Sequence, residues 1–186
     1  MRKLVRTISG VTPVAVMTQP MKCLSNVSIA PPIKQNLKIR DHPGNDNDLV
    51  DKMSQRCIYC PTYKATPQSY TPESPTVLRA IKCGFDAGKQ VKLRLKVLAE
   101  MGHPTDKIEL IVMGGTFLAQ PQDYQYQFIR DCFNALNGKA SATLEEAKQL
   151  NETAKHRSVG LCIETRPDWC GQKEINRMLS FGVTRV

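Results

Sequence analysis

The chain has 186 residues, 41% apolar and 23% charged, a balance that suits one soluble globular domain long enough to bury a real core. No stretch resembles a membrane span. The basic start Met1-Arg2-Lys3-Leu4-Val5-Arg6 is followed by no long apolar run, so no signal peptide is expected. The net charge of +9 admits nucleic acid as a partner, because phosphate neutralisation releases counterions, and equally admits a surface that is merely solubilising.

The seven cysteines are an odd number in a chain without a secretory signal. That favours a reducing cytoplasm, with metal or cluster chemistry, over a disulfide framework.

Taken in chain order, Gly10 to Thr18 is short, apolar and rich in valine, and it reads as a buried strand. From Gln19 to about Ser74 regular signals are missing. Within that region, residues 24–56 look foreign to a compact domain. Pro31-Pro32, Asn36, Pro43-Gly44 and the Asn/Asp run 45–48 are turn and loop chemistry. At its end stands Cys57-Ile58-Tyr59-Cys60, a Cys-x-x-Cys with an aromatic before its second cysteine. Cys23 is a third candidate ligand, 33 residues before Cys57. Three thiolates can hold three irons of a cubane cluster and leave the fourth iron open. The alternative is zinc binding or free thiols.

Pro75 to Met101 carries helical patterning. Val91, Leu95 and Leu98 are expected inward, with Lys89, Lys92 and Lys96 on another face. Gly102-His103-Pro104 stops the helix. Ile108 to Met113 is a nearly continuous apolar run, expected as a parallel strand covered on both sides and ending in Gly114-Gly115-Thr116. Tyr124, Phe128, Cys132 and Leu136 step along the next helix, which Gly138 closes. Thr143-Leu144-Glu145-Glu146 fits a capping box, with Ala147, Leu150 and Ala154 as that helix's inner stripe. Val159 to Ile163 reads as another buried strand, running into Glu164-Thr165-Arg166-Pro167. A helix from about Gln172 to Phe181 comes next, with Ile175, Met178 and Leu179 expected inward. Val183 to Val186 begins a further strand.

This alternation predicts a parallel α/β sheet that right-handed crossovers would curl toward a barrel. Sites in such folds lie beyond the carboxyl ends of the strands, where the cysteine region, Gly114-Gly115-Thr116 and Glu164-Thr165-Arg166 all fall. There is no internal repeat beyond the βα rhythm.

Several segments carry a resemblance: Arg6-Thr7-Ile8-Ser9-Gly10-Val11, Val14-Ala15-Val16-Met17-Thr18, Cys57-Ile58-Tyr59-Cys60-Pro61, Thr66-Pro67-Gln68-Ser69-Tyr70, Gly102-His103-Pro104-Thr105-Asp106-Lys107, Met113-Gly114-Gly115-Thr116-Phe117, Leu150-Asn151-Glu152-Thr153-Ala154 and Glu164-Thr165-Arg166-Pro167-Asp168. Together they resemble the radical S-adenosylmethionine (SAM) domain of the Elongator catalytic subunit family, the tRNA carboxymethyluridine synthases. Essentially everything outside 24–56 is covered. A lone Cys-x-x-Cys is weak evidence, whereas these motifs in this order are highly specific.

The resemblance implies a 4Fe-4S cluster on three cysteines, with SAM at the open iron. It also implies reductive cleavage to a 5′-deoxyadenosyl radical, hydrogen abstraction from the methyl group of acetyl-CoA, and addition to C5 of the wobble uridine of tRNA. It further implies that residues 1–186 form an incomplete radical SAM domain, a partial (βα) barrel truncated after about three βα units. On this reading 24–56 is an atypical insertion in the cluster loop and the family's acetyltransferase-like domain is absent. A missing half could come from another chain. The family's loop between the first two cysteines is short, and lengthening it costs only about 1–2 kcal/mol of closure entropy. Exposure of the cluster to solvent and oxygen is the stronger objection.

By the same resemblance Cys23, Cys57 and Cys60 are the cluster ligands. Cys83, Cys132, Cys162 and Cys170 are ordinary, with Cys132 and Cys162 on inward faces as small apolar residues. Tyr59 packs on the SAM adenine or merely in its loop. Gly114, Gly115 and Thr116 form a turn that permits close backbone approach to SAM, or a plain β-turn. Glu164 and Arg166 orient SAM or substrate, or form a rim salt bridge. Lys107 matches a lysine associated with acetyl-CoA, though a solvated lysine is the usual fate at a strand start. Arg2, Lys3, Arg6, Lys89, Lys92, Arg94 and Lys96 are candidates for contact with the tRNA backbone, or solvated helix faces. The competing readings are a zinc-binding or RNA-binding module without catalysis, and an inactive truncated product.

Overall fold

A computed structural model describes residues 7–21, 60, 63 and 65–186. Among these residues the architecture is α/β, a three-stranded parallel sheet with five helices. The elements run β1 (Thr12–Met17), α1 (Pro75–Lys82), α2 (Ala87–Glu100), β2 (Lys107–Met113), α3 (Gln122–Asn137), α4 (Leu144–Asn151), β3 (Arg157–Ile163) and α5 (Gln172–Phe181). Short 3-10 turns at Phe117–Ala119 and Pro167–Trp169 come after β2 and β3. Strand order is β1-β2-β3, with both pairings parallel. Beyond β3, Arg185 bridges Cys162 in parallel, so Val183 to Val186 does begin to pair there.

One face of the sheet is dry. Val14, Val16, Ile108, Leu110, Val112, Leu161 and Ile163 form a single core with Val91, Leu95, Leu98, Phe128, Ile129, Cys132, Leu136 and Phe181 from the helices. The other face, with Pro13, Ala15, Glu109, Ile111, Met113 and Cys162, is only half-buried. This corrects the expectation for Ile108 to Met113. The strand alternates between a side buried in the helix-packed core and a half-buried side that α1 meets only at its Met113 end. Cys162 is corrected with it: it lies on the open face, while Cys132 is fully buried. Val159 is exposed as well, at the outer end of β3.

Among the described residues, the outer edge of β1 is met by side chains rather than by another strand. Ala15 and Met17 present their backbone groups to that edge. Arg79 of α1 donates to the Ala15 carbonyl. Gln90 of α2, fully buried, accepts from Met17 N at 2.8 Å and donates to Met17 O at 2.9 Å. Pro13 also falls on this edge, where its missing N–H costs no ladder bond.

Pro75 to Met101, read from its patterning as a single helix, is two helices. The chain turns at Cys83 to Asp86, and Asp86 then caps α2 by accepting from Lys89 N at 2.7 Å. Val91, Leu95 and Leu98 are buried as expected. The Thr143 cap of α4 is present, its hydroxyl accepting from Glu146 N at 3.1 Å, while the Glu146 carboxylate accepts from Ala142 N. Leu144, Ala147 and Asn151 are the buried residues of α4; Leu150 and Ala154 are half-buried. In α5 the buried residues are Met178 and Phe181, and Ile175 and Leu179 face out, against expectation. Phe181 takes the inner position because its ring meets Phe117 and Tyr126 edge-on, which rotates the Ile175–Leu179 stripe away. No helix among the described residues is long and apolar enough to cross a membrane.

Candidate active site

The three strands end at one level, and the segments that leave them converge. Thr18 N donates to Met113 O at 2.9 Å, Glu164 N to Val112 O at 3.2 Å, and Phe117 N to Glu164 O at 3.3 Å. The ends of β1, β2 and β3 are thereby laced together at the carboxyl edge of the sheet.

Gly114 and Gly115 form the turn after β2, with φ of +127° and +90°. Both values lie where a side chain is strained. At Gly114 space is lacking too: a Cβ would stand 2.1 Å from Thr18 Oγ1. That hydroxyl is buried and has no hydrogen-bond partner among the described residues. At Gly115 the nearest atom to such a Cβ is Gln68 O, at 3.6 Å. The turn thus offers bare backbone. Thr116 comes next, half-buried, and leads into the 3-10 turn.

The segment Gln68-Ser69-Tyr70 clasps this turn from the side of the cysteine motif. Ser69, with φ of +75°, sits 3.0 Å from Cys60 Sγ through its hydroxyl. Gln68 Nε2 donates to the Cys60 carbonyl at 3.5 Å. The Tyr70 hydroxyl donates to Glu164 Oε2. Burial, and next the bond to Glu164, push the Tyr70 phenol well above its ordinary range. On the other flank, the Tyr124 hydroxyl accepts from Gln19 N at 3.0 Å and ties the end of β1 to α3.

Glu164 and Arg166 diverge in their engagements. Arg166 grips Asp168 with Nε and Nη2, at 2.9 Å through Nε, and this bond holds the Asp168 carboxyl below its ordinary range. Glu164 accepts from Tyr70 instead.

The structure therefore brings together Cys60, Gly114, Gly115, Thr116, Glu164 and Arg166 at one edge. Cys23, Cys57, Tyr59, Arg2, Lys3 and Arg6 lie outside the described residues. Lys107 opens β2 and is exposed at the opposite end of the sheet, a strand length of about 20 Å from Gly114. Lys89, Lys92 and Lys96 face outward on α2. Lys96 stands 3.9 Å from Glu100, and Lys92 lines a groove with Leu95, Leu136, Lys155 and His156. Among the described residues no three His, Cys, Asp or Glu side chains converge on a metal position. A thiol beside bare turn backbone still fits the chemistry of a thiolate-held cluster with a ligand at close main-chain approach.

Sequence reasoning assigned no role to Tyr70, Ser69, Thr18 or Gln90. Tyr70 and Ser69 stand inside the Thr66–Tyr70 motif, which was a usable signal. Thr18 likewise closes the Val14–Thr18 motif, whereas nothing local marks Gln90.

No family model matches the chain. Its whole length aligns with a protein of Dehalococcoides mccartyi named tRNA uridine(34) acetyltransferase, 58% identical over 186 residues and covering 34% of that protein. A Methanocaldococcus jannaschii protein of the same name is 46% identical over 190 residues, and 30% of it is covered. Elongator complex protein 3 of Drosophila melanogaster is 38% identical over 189 residues, spanning 99% of this chain and 30% of that one. Over its whole length the chain is thus similar to Elongator complex protein 3 and the tRNA uridine(34) acetyltransferases.

A solved structure, the archaeal Methanocaldococcus infernus Elp3 with an N-terminal deletion (1–46), matches 95% of this chain and 28% of its own, with a TM-score of 0.62 and 38% identity. The chain spans about a third of the length of the curated relatives it matches.

Proposed function

We propose that this chain is part of a radical SAM domain, a partial (βα) barrel, serving an enzyme that modifies the wobble uridine of tRNA. One observation carries the reading. Cys60, the Gly114–Gly115 turn and Glu164 meet at the carboxyl edge of a parallel sheet, in a chain 58% identical to a protein named for uridine 34 of tRNA. The proposed product is 5-carboxymethyluridine, with acetyl-CoA as co-substrate.

In this reading Cys23, Cys57 and Cys60 supply three thiolates to a 4Fe-4S cluster, and residues 24–56 are an insertion between the first two. The cluster, when bound, supplies the electron that cleaves SAM. Gly114 and Gly115 let the aminoacyl part of SAM lie against the main chain, and Tyr59 packs on the adenine. Thr116, Glu164 and Arg166 line the same edge. Lys107, at the other end of β2, suits the phosphates of acetyl-CoA and not its reacting carbon. Arg2, Lys3, Arg6, Lys92 and Lys96 attract the tRNA backbone.

Anaerobic reconstitution with iron and sulfide tests the assignment. Roughly four irons and four sulfides per chain, with broad visible absorption lost on oxidation, are expected. Colourless protein holding zinc overturns it in favour of a non-catalytic module.

A further inference from the structure

We propose that Tyr70 is a positioning residue for the SAM site, acting through Glu164. This rests on the reading that SAM binds at the Gly114–Gly115 turn. The geometry is a hydrogen bond between the loop that carries Tyr70 and the end of β3. The Tyr70 hydroxyl, on the segment beside the Gly114–Gly115 turn, donates to Glu164 Oε2 just beyond β3. The ring is anchored independently, packed against Met17, Val77 and Ala80 beside α1.

The arrangement has a consequence for Glu164. A glutamate has three rotatable side-chain bonds, and a half-exposed one samples several rotamers. Tyr70 takes one of its oxygens and the ring packing fixes where that oxygen sits. Oε1 has no partner among the described residues and remains as an acceptor at the carboxyl edge, beside the bare turn. A hydrogen-bond donor on SAM meets it there without the cost of ordering the side chain at the moment of binding. SAM has two such sources, the ammonium of its aminoacyl group and the hydroxyls of its ribose. The neighbouring Ser69 lies against Cys60, so the Tyr70 hydroxyl ties the loop of the cysteine motif to the end of β3.

The test is SAM affinity of the anaerobically reconstituted chain, measured by equilibrium dialysis. Tyr70→Phe removes only the hydroxyl and keeps the packed ring. It is expected to weaken SAM binding roughly tenfold, the worth of one well-placed hydrogen bond to a charged group. Glu164→Ala is expected to weaken it at least as much. In the Glu164→Ala background Tyr70→Phe should then cost little more, because its effect passes through the carboxylate. A residue that merely holds the loop gives additive losses, and additivity overturns the inference. 5′-Methylthioadenosine, which keeps the ribose and lacks the aminoacyl group, identifies the donor. Loss with SAM alone assigns the ammonium, and equal loss with both assigns the ribose. If Tyr70→Phe does not fold, Glu164→Asp replaces it, with the same expected loss. A parent chain that binds SAM while either substitution leaves its affinity unchanged overturns this inference alone. A reconstituted parent that binds no SAM overturns the underlying reading as well.

Discussion

Thr18 and Gly114 divide one small volume between them: the Thr18 hydroxyl lies where any side chain on Gly114 would have to go, 2.1 Å from an ideal Cβ. The contact locks the end of β1 to the turn after β2, next to the ladder bond from Thr18 N to Met113 O.

Gly114→Ala should therefore destabilise the chain by about 2–4 kcal/mol, combining a strained φ of +127° with a steric clash. Thr18→Ala alone should be mild, since its oxygen satisfies no hydrogen bond. The double variant should cost less than the sum. Urea denaturation of the four forms decides this, and strict additivity would show that the two residues do not share the space.

Gln90 holds both backbone groups of Met17 at the edge of β1. Gln90→Leu keeps the volume but leaves a buried N–H and C=O unsatisfied, at about 1–3 kcal/mol each. The expected loss is about 2–5 kcal/mol in urea melts. A change under 0.5 kcal/mol would mean that water replaces the clamp.

The Tyr70 phenol is held protonated above the usual tyrosine value near 10. A folded-state value raised above the unfolded one contributes stability that is present in full at neutral pH. That contribution is lost as pH climbs from about 10 through the folded value. Ultraviolet titration of tyrosinate should show one group lagging the rest. Glu164→Gln should shift that group down, because the carboxylate's hydrogen bond and charge are among the causes of the rise. A lag that persists unchanged in Glu164→Gln would refute the contact.

Cys57→Ala and Cys60→Ala are each expected to abolish cluster assembly, three thiolates being the minimum for a cubane with one open iron. Cys132→Ala should keep its iron. That thiol is wholly buried in the helix-facing core, and burial pushes it far above the range in which a thiolate forms. Iron-to-protein ratios check both halves, and full iron in Cys60→Ala would sink the ligand assignment.

These 186 residues on their own are expected to bind tRNA weakly and not to modify it. The face of the sheet carrying Ala15, Ile111 and Cys162 stays half-open, so a reactive intermediate would meet water and quenchers. Binding should fall steeply with salt. Anaerobic incubation with SAM, reductant, acetyl-CoA and tRNA, followed by nucleoside mass spectrometry, checks the claim. Carboxymethyluridine formed by the chain alone would refute it.

Apolar spacing makes the strands and most helices legible, though not the break at Cys83 to Asp86, and it puts the candidate site at the carboxyl edge of the strands. Period-two and period-four apolar spacing is local information, and Val91, Leu95, Leu98 and Leu136 are buried where that spacing puts them. Glycine pairs and the motif after β3 are local as well, so Gly114, Gly115 and Glu164 could be named in advance. Only the tertiary structure decided which apolar stripe of α5 faces inward, because Phe181 competes with Ile175 and Leu179 through rings contributed by Phe117 and Tyr126. It also decided that β2 is dry on one face alone. A strand's composition records how apolar its neighbours can be, not how many layers of them arrive. The clamp of Gln90 on Met17 and the reach of Tyr70 to Glu164 span 73 and 94 residues of chain. A polar side chain's partner at that distance is set by where the backbone returns, and no local pattern encodes it.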